Sequence, residues 1–266
     1  MKHIKFALFF FVILSACACN SGITEDMAKY GLNCKVKELN VSASSGELDY
    51  VVDFNSKGMV EHILCTDQEG SMLHEEFHKF DGKGRLTEIQ DLDEDGVTEG
   101  RYAYEYDGKF VSKCCFYGMN NEEIHRWEHK NDGKNIVKTE YYNNGILEYV
   151  TTKEFDGNVC HERSVSAEGS VIGDAVTTYF SDNKPSSIKG DNVDIQIEYN
   201  EKGLPVKSVG TMISSGGEFG WQPELESSPE RFYKYEYDNK GNWVTRTEHR
   251  HPDSLAVVTV SRKIIY

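Results

Sequence analysis

The strongest constraint on this chain is a corner that keeps returning. Asn55 (in FNSKG), Asp81 (FDGKG), Asp107 (YDGKF), Asp132 (NDGKN), Asp156 (FDGNV), Asp182 (SDNKP), Asn200 (YNEKG) and Asp238 (YDNKG) follow one another at intervals of 26, 26, 25, 24, 26, 18 and 38 residues. Further corners lie between them, among them Asp67 to Gly70, Glu94 to Gly96, Asn143 to Gly145 and Ala167 to Gly169. The chain therefore turns about every 12 residues, the signature of an internal repeat. Asn-Gly and Asp-Gly pairs supply the positive φ that tight hairpin turns require.

Between corners the residues alternate. Tyr102, Tyr104 and Tyr106 share one face, with Ala103 and Glu105 on the other. Tyr233, Tyr235 and Tyr237 repeat this opposite Lys234 and Glu236, as do Ile195, Ile197 and Tyr199 opposite Gln196 and Glu198. Period-two alternation of aromatic and β-branched residues means strands. The fold expected is all-β: an antiparallel meander of two-strand repeats, each about 25 residues long, forming a curled sheet or a barrel. Curling turns the aromatic face inward and buries it. The pattern leaves open whether the sheet closes. One β-repeat domain is expected over 33–266, interrupted by an irregular insertion at 214–231, SSGGEFGWQPELESSPER. Phe219 and Trp221 make this insertion a candidate binding loop; the alternative is a slack loop whose aromatics fold back on the sheet.

The segment YKYEYDNKGNWVTRTE, from Tyr233, resembles the YD (RHS-type) repeat, and partial copies stand at Tyr104, Phe155 and Tyr199. The resemblance covers most of 47–250 and is similar to the degenerate copies in envelope lipoproteins of Bacteroidetes-type bacteria. It implies a β-meander, sometimes curled into a shell. The chain lacks the length of a true RHS-like toxin cage.

The first residues, MKHIKFALFFFVILSACACN, carry Lys2 and Lys5 ahead of an apolar run from Phe6 to Leu14. That run falls short of the ~20 residues a permanent span needs, so residues 1–16 read as a signal peptide. Leu14-Ser15-Ala16-Cys17 resembles the lipobox of bacterial lipoproteins, which implies cleavage before Cys17 and lipidation of its thiol. Cys19 stands in a poorer second frame. Residues 17–32 then read as a lipid-anchored tether. The implied location is the cell envelope, at the outer membrane, with the periplasmic face favoured over the cell surface because no acidic cluster follows Cys17.

Net charge is −15. Nucleic acid is a poor partner for such a chain, since phosphate binding needs clustered Lys and Arg. Seven cysteines are too sparse for a disulfide scaffold and predict one or two bridges at most. HEEFH (His74 to His78) has the letters of a zinc-protease motif but precedes a corner, on a strand. There, i and i+4 stand roughly 13 Å apart, too far to share one ion. IHRWEHKNDGK at Ile124 aligns with LHEEFHKFDGK at Leu73, so His125 and His129 repeat His74 and His78. DLDEDGVTE is the better metal candidate. Asp91, Asp93, Asp95 and Glu99 surround a glycine turn with the oxygens that calcium prefers, as a structural site; the alternative is a solvated acidic hairpin.

Two functions stay open. One is a non-catalytic envelope scaffold, held to a membrane by its lipid, that binds a protein or glycan partner. The other is a hydrolase acting on polysaccharide through an acidic site on the sheet. A concave cluster of two acids and a tryptophan would favour the second.

Overall fold

In the computed structural model, residues 24–44, 49–180, 184–191, 193–212 and 226–266 are described. A short helix, α1 (Glu25–Lys29), is followed by β1 (Glu38–Ala43), β2 (Asp49–Phe54), β3 (Val60–Thr66), β4 (Met72–Phe80), β5 (Leu86–Leu92) and β6 (Thr98–Asp107). Then come β7 (Phe110–Gly118), β8 (Glu123–Asn131), β9 (Ile136–Asn143), β10 (Ile146–Asp156), β11 (Val159–Ser166) and β12 (Val171–Tyr179). The chain finishes with β13 (Pro185–Gly190), β14 (Val193–Tyr199), β15 (Pro205–Met212), β16 (Glu226–Tyr237), β17 (Trp243–His249) and β18 (Val258–Ile265).

Each strand runs antiparallel to the next, and β18 returns to β1, with Glu38 opposite Ile265 and Ala43 opposite Val260. The meander is a closed barrel of 18 strands. Closure removes the free sheet edges that invite aggregation. Because neighbours alternate in direction, corners fall into two sets. The near end carries the corners from β2 to β3, β4 to β5 and so on, together with both ends of the described chain. The far end carries the corners from β3 to β4, β5 to β6 and their successors.

The corners with glycine at the fourth position share one construction, whereas Asp107 and Asp156 open two-residue turns, paired with Phe110 and Val159. Asp81 Oδ1 accepts from the backbone N–H of Lys83 and Arg85, at 2.8 and 3.0 Å, and Gly84 takes φ +81°. Asp238 does the same for Lys240 and Asn242. A register shift flanks each of these turns and leaves Thr87 and Val244, on the strands that follow, as the extra residues of a bulge.

One face of the sheet is the lumen. Leu39, Val41, Val52, Phe54, Val60, Ile63 and Cys65 on that face pack with Met27, Leu32 and Val36 into the sealed core. The opposite face points to water. It carries ion pairs: Lys79–Glu88 at 2.6 Å and Lys113–Glu105 at 3.4 Å between strands, and Lys138–Glu140 at 2.6 Å within β9. Such pairs add little stability, but they mark the environment. A membrane-spanning barrel presents an apolar outer band ~25 Å tall, where charge is costly. This outer wall carries charged pairs.

Residues 24–32, within the segment read as a tether, lie against the near-end corners on either side of β1. Thr24 caps α1, accepting from Met27 N–H at 3.2 Å, and its hydroxyl donates to the Gly58 carbonyl. Asp26 accepts from Val60 N–H at 3.0 Å. Four strands further round the rim, Asn33 donates its backbone N–H to Asn242 Oδ1 at 2.5 Å and its side-chain amide to the Gly241 carbonyl at 2.6 Å. Met27 is fully buried and Leu32 nearly so; burying one such side chain contributes ~1.5–3 kcal/mol. The apolar spacing here is too short to show as a periodic pattern, hence the tether reading.

The insertion expected at 214–231 is partly strand, since β16 begins at Glu226. Pro229 falls where the register slips between Ser208 and Gly210, a place that tolerates a missing N–H. The five described cysteines are all unpaired. Cys114 and Cys115, being adjacent on β7, point to opposite faces as a strand requires.

Candidate functional site

The lumenal wall from β4 to β10 gathers the side chains with chemistry. Cross-strand register sets Glu76 opposite Ile63 and Asp91, Tyr102 opposite Ile89, and Trp127 opposite Cys114 and Tyr141. Tyr149 in turn faces Tyr141. Their rings form an unbroken band around the wall. Centroids are 4.8 Å apart for Tyr102–Phe116, 6.0 Å for Phe116–His125, 5.3 Å for Trp127–Tyr141 and 4.8 Å for Tyr141–Tyr149. All of these rings are half-buried, and none belongs to the sealed core beside β1 to β3. Aromatic faces are therefore offered to the lumen.

Next to this band lies a chain of imidazoles and carboxylates. His78 Nε2 and His74 Nε2 each stand 3.0 Å from a Glu76 oxygen, and His74 Nδ1 stands 3.0 Å from Asp91 Oδ1. His74, Glu76 and His78 share the lumenal face because they alternate on β4. Hydrogen bonds to Asp91 and Glu76, outweighing burial, push the His74 imidazolium up to about 10. Burial alone would raise the Glu76 carboxyl, yet the two histidines hold it at about 2. A glycosidase acid needs the opposite shift. Glu76 also stands four strands away from Trp127, roughly 19 Å along the sheet at ~4.8 Å per strand. HEEFH is a strand motif, as its place before a corner predicts, and its glutamate links its histidines rather than serving a shared ion.

The four candidate acids of DLDEDGVTE, Asp91, Asp93, Asp95 and Glu99, are divided. Asp91 and Glu99 come together with His74, their ligand atoms all within 4.8 Å of one another. Asp93 builds the corner, Oδ1 accepting from Asp95 N–H at 3.0 Å and Val97 N–H at 2.9 Å. Asp95 is at the exposed tip. Only two of the four could bind one cation, with an imidazole as third donor. The candidate lipidation site Cys17, the signal segment and the loop aromatics Phe219 and Trp221 lie outside the described residues. The β15–β16 connection that holds the two aromatics joins the far end, where Val97, Met119, Ile146 and Leu255 are exposed on other corners.

A second lumenal feature had no signal in the sequence. Arg262 is 7% exposed and none of its guanidinium nitrogens has a hydrogen-bond partner. Its guanidinium carbon lies 3.9 Å from the Trp243 ring centroid, a cation–π contact that offsets part of the desolvation cost. Burial, then repulsion from Arg246, lowers its proton affinity to about 10.

No family model matches the chain, and no curated protein does. Among solved structures it is similar to a porin-like protein from Bacteroides uniformis, at 10% identity and a TM-score of 0.42, covering 86% of this chain and 97% of that one. A porin-like protein from Bacteroides vulgatus matches at 6% identity and a TM-score of 0.34, covering 86% and 98%. The Tc holotoxin pore of Photorhabdus luminescens matches at 10% identity and a TM-score of 0.32, covering 82% of this chain and 13% of that one.

Proposed function

We propose that this chain is a non-catalytic, lipid-anchored envelope barrel that binds a glycan along its lumenal wall. The observation that carries this reading is the half-buried aromatic band from Tyr102 to Tyr149. Flat rings in register on a concave surface suit the apolar faces of sugar rings, and Tyr hydroxyls supply polar handles at their edges. The paired state of Glu76 speaks against acid catalysis at this wall. The charged outer wall agrees with attachment by a lipid on Cys17 rather than by strands that cross the bilayer.

The test is titration of neutral oligosaccharides against the protein, followed by calorimetry and tryptophan fluorescence. Trp127→Ala and Tyr141→Ala are each expected to weaken binding about 10-fold or more, the effect of losing ~1.4 kcal/mol of stacking. Sugar binding that is indifferent to both substitutions would remove the band as the site. Hydrolysis of the oligosaccharide, lost in Glu76→Gln, would restore the hydrolase reading.

A further inference from the structure

Alternation of strand direction sorts the corners by end, and the two ends differ in charge. At the near end the third corner position is Lys57 in Asn55–Gly58, Lys83 in Asp81–Gly84, Lys202 in Asn200–Gly203 and Lys240 in Asp238–Gly241. Lys109 and Lys134 follow the glycine of two further near-end corners. At the far end the same position is Glu69 in Asp67–Gly70, Asp95 in Asp93–Gly96 and Glu168 in Ser166–Gly169. The turns themselves are alike. Asp67 accepts from Ser71 N–H and Asp93 from Val97 N–H, just as Asp81 accepts from Arg85 N–H. Gly70, Gly84 and Gly96 close their turns on the Asp carbonyl in the same way. Turn geometry therefore does not select lysine at one end and acid at the other.

The layering of charge matters as much as its sign. At the near-end corners Asp81, Asp132 and Asp238 turn a carboxylate onto backbone N–H groups, whereas Asp107, Asp156 and Glu201 are exposed beside the lysines. The lysines are outermost: all six are exposed. Lys202 and Lys240 lay their amines over the rings of Tyr237 and Tyr266, at 3.4 and 3.2 Å from the centroids, at the surface of the same end. The far end shows carboxylates at its tips. The described chain also begins at the near end, with Thr24 held against Gly58. Six residues lie between Cys17 and Thr24, a reach of at most about 25 Å over the seven steps.

We propose that the lysine-tipped near end is a docking face for an anionic lipid surface, which sets the barrel upright on its membrane with the acidic far end outward. The inference rests on the lipid-anchored reading of Cys17. The anchor supplies attachment; the lysines supply orientation, each contributing ~1 kcal/mol close to an anionic surface. The acidic far end, repelled by the same surface, reinforces it. The orientation leaves the far rim, with its exposed Val97, Met119 and Leu255, facing away from the lipid.

The experiment uses the lipidated full-length protein with two vesicle types, phosphatidylcholine alone and phosphatidylethanolamine with about 30% phosphatidylglycerol, the latter anionic. Flotation reads attachment. Amine acetylation followed by mass spectrometry reads the lysines, and peroxide oxidation of Met119 reads the far rim. Expected are flotation with both vesicles and protection of the six near-end lysines by about threefold or more on the anionic one. Lys189, exposed near the far end of β13, and Met119 should be unaffected. Flotation with both vesicles but equal labelling overturns the docking face and leaves the anchor standing. Flotation with anionic vesicles alone supports the docking face and overturns the anchor; flotation with neither overturns both. Protection of Met119, or lysine protection that depends on protein concentration without lipid, overturns the proposal in favour of far-rim insertion or head-to-tail stacking of copies.

Discussion

At the scale of single residues, the lumenal ion chain makes stability depend on pH in a defined direction. Hydrogen bonds to Asp91 and Glu76 keep His74 protonated up to about 10, whereas an unfolded histidine loses its proton near ~6.5. The stability it contributes is complete below about pH 6.5 and is lost as pH rises through about 10. Glu76 behaves in the opposite sense. Burial would raise it, but two imidazoles hold it near 2, so its share is complete above about pH 4.5 and is lost as pH falls toward 2. Thermal melts between pH 7 and 10 should show Tm falling more steeply for the native protein than for His74→Gln. Parallel curves would mean that His74 is already neutral at pH 7. His74 and His78 are legible as strand residues from their alternation. Their link to Asp91 is not, because it needs the β4–β5 register that sets Glu76 opposite Asp91.

At the scale of elements, identical corners can be compared with and without a neighbour. Gly58 and Gly70 have φ values of +81° and +83°, so alanine at either pays for a left-handed backbone, ~1–2 kcal/mol. At Gly70 the added methyl meets open space; at Gly58 it would stand 2.9 Å from Met27 Cε and 3.1 Å from its sulfur. Urea denaturation should show a loss of about 1 kcal/mol for Gly70→Ala and clearly more, about 2–4 kcal/mol, for Gly58→Ala. Equal losses would show that α1 does not press on this corner. The β5–β6 hairpin has its own test. Asp93 is committed to the turn and Asp91 to His74, so melting temperature is expected to be the same in millimolar calcium and in EDTA. A rise with calcium that Asp91→Asn abolishes would reinstate the hairpin as a calcium loop. Strands and corners were readable because turn chemistry and alternation are local: Asp81, Gly84 and the Tyr102–Tyr104–Tyr106 ladder announce themselves within a few residues. From Thr24 to Asn33 only a helical turn near Asp26 to Tyr30 was readable; its docking was not, since what holds it is contact with Gly58, Gly241 and Asn242, one corner close in sequence and the other distant.

At the scale of the whole molecule, closure is the property that no local pattern encodes. It depends on β1 meeting β18, and either an open or a closed meander would show the same repeats. Both strands reach the near end, where Lys37 N–H donates to the Ile265 carbonyl at 2.8 Å. A circular permutant that joins Tyr266 to Thr24 by a linker of about ten residues and opens between Asn144 and Gly145 should fold to the same barrel. Its near-UV dichroism should match the parent's; a molten spectrum would mean that chain order, not only pairing, specifies the fold. The native order has a cost in time. β1 is made first and its second partner last, roughly 220 residues later at ~5–20 residues per second. For roughly 10 to 40 s of synthesis, the newborn chain holds out a strand with one bare side. During that wait, it is most exposed to joining another molecule's sheet and most dependent on an escort that shields it.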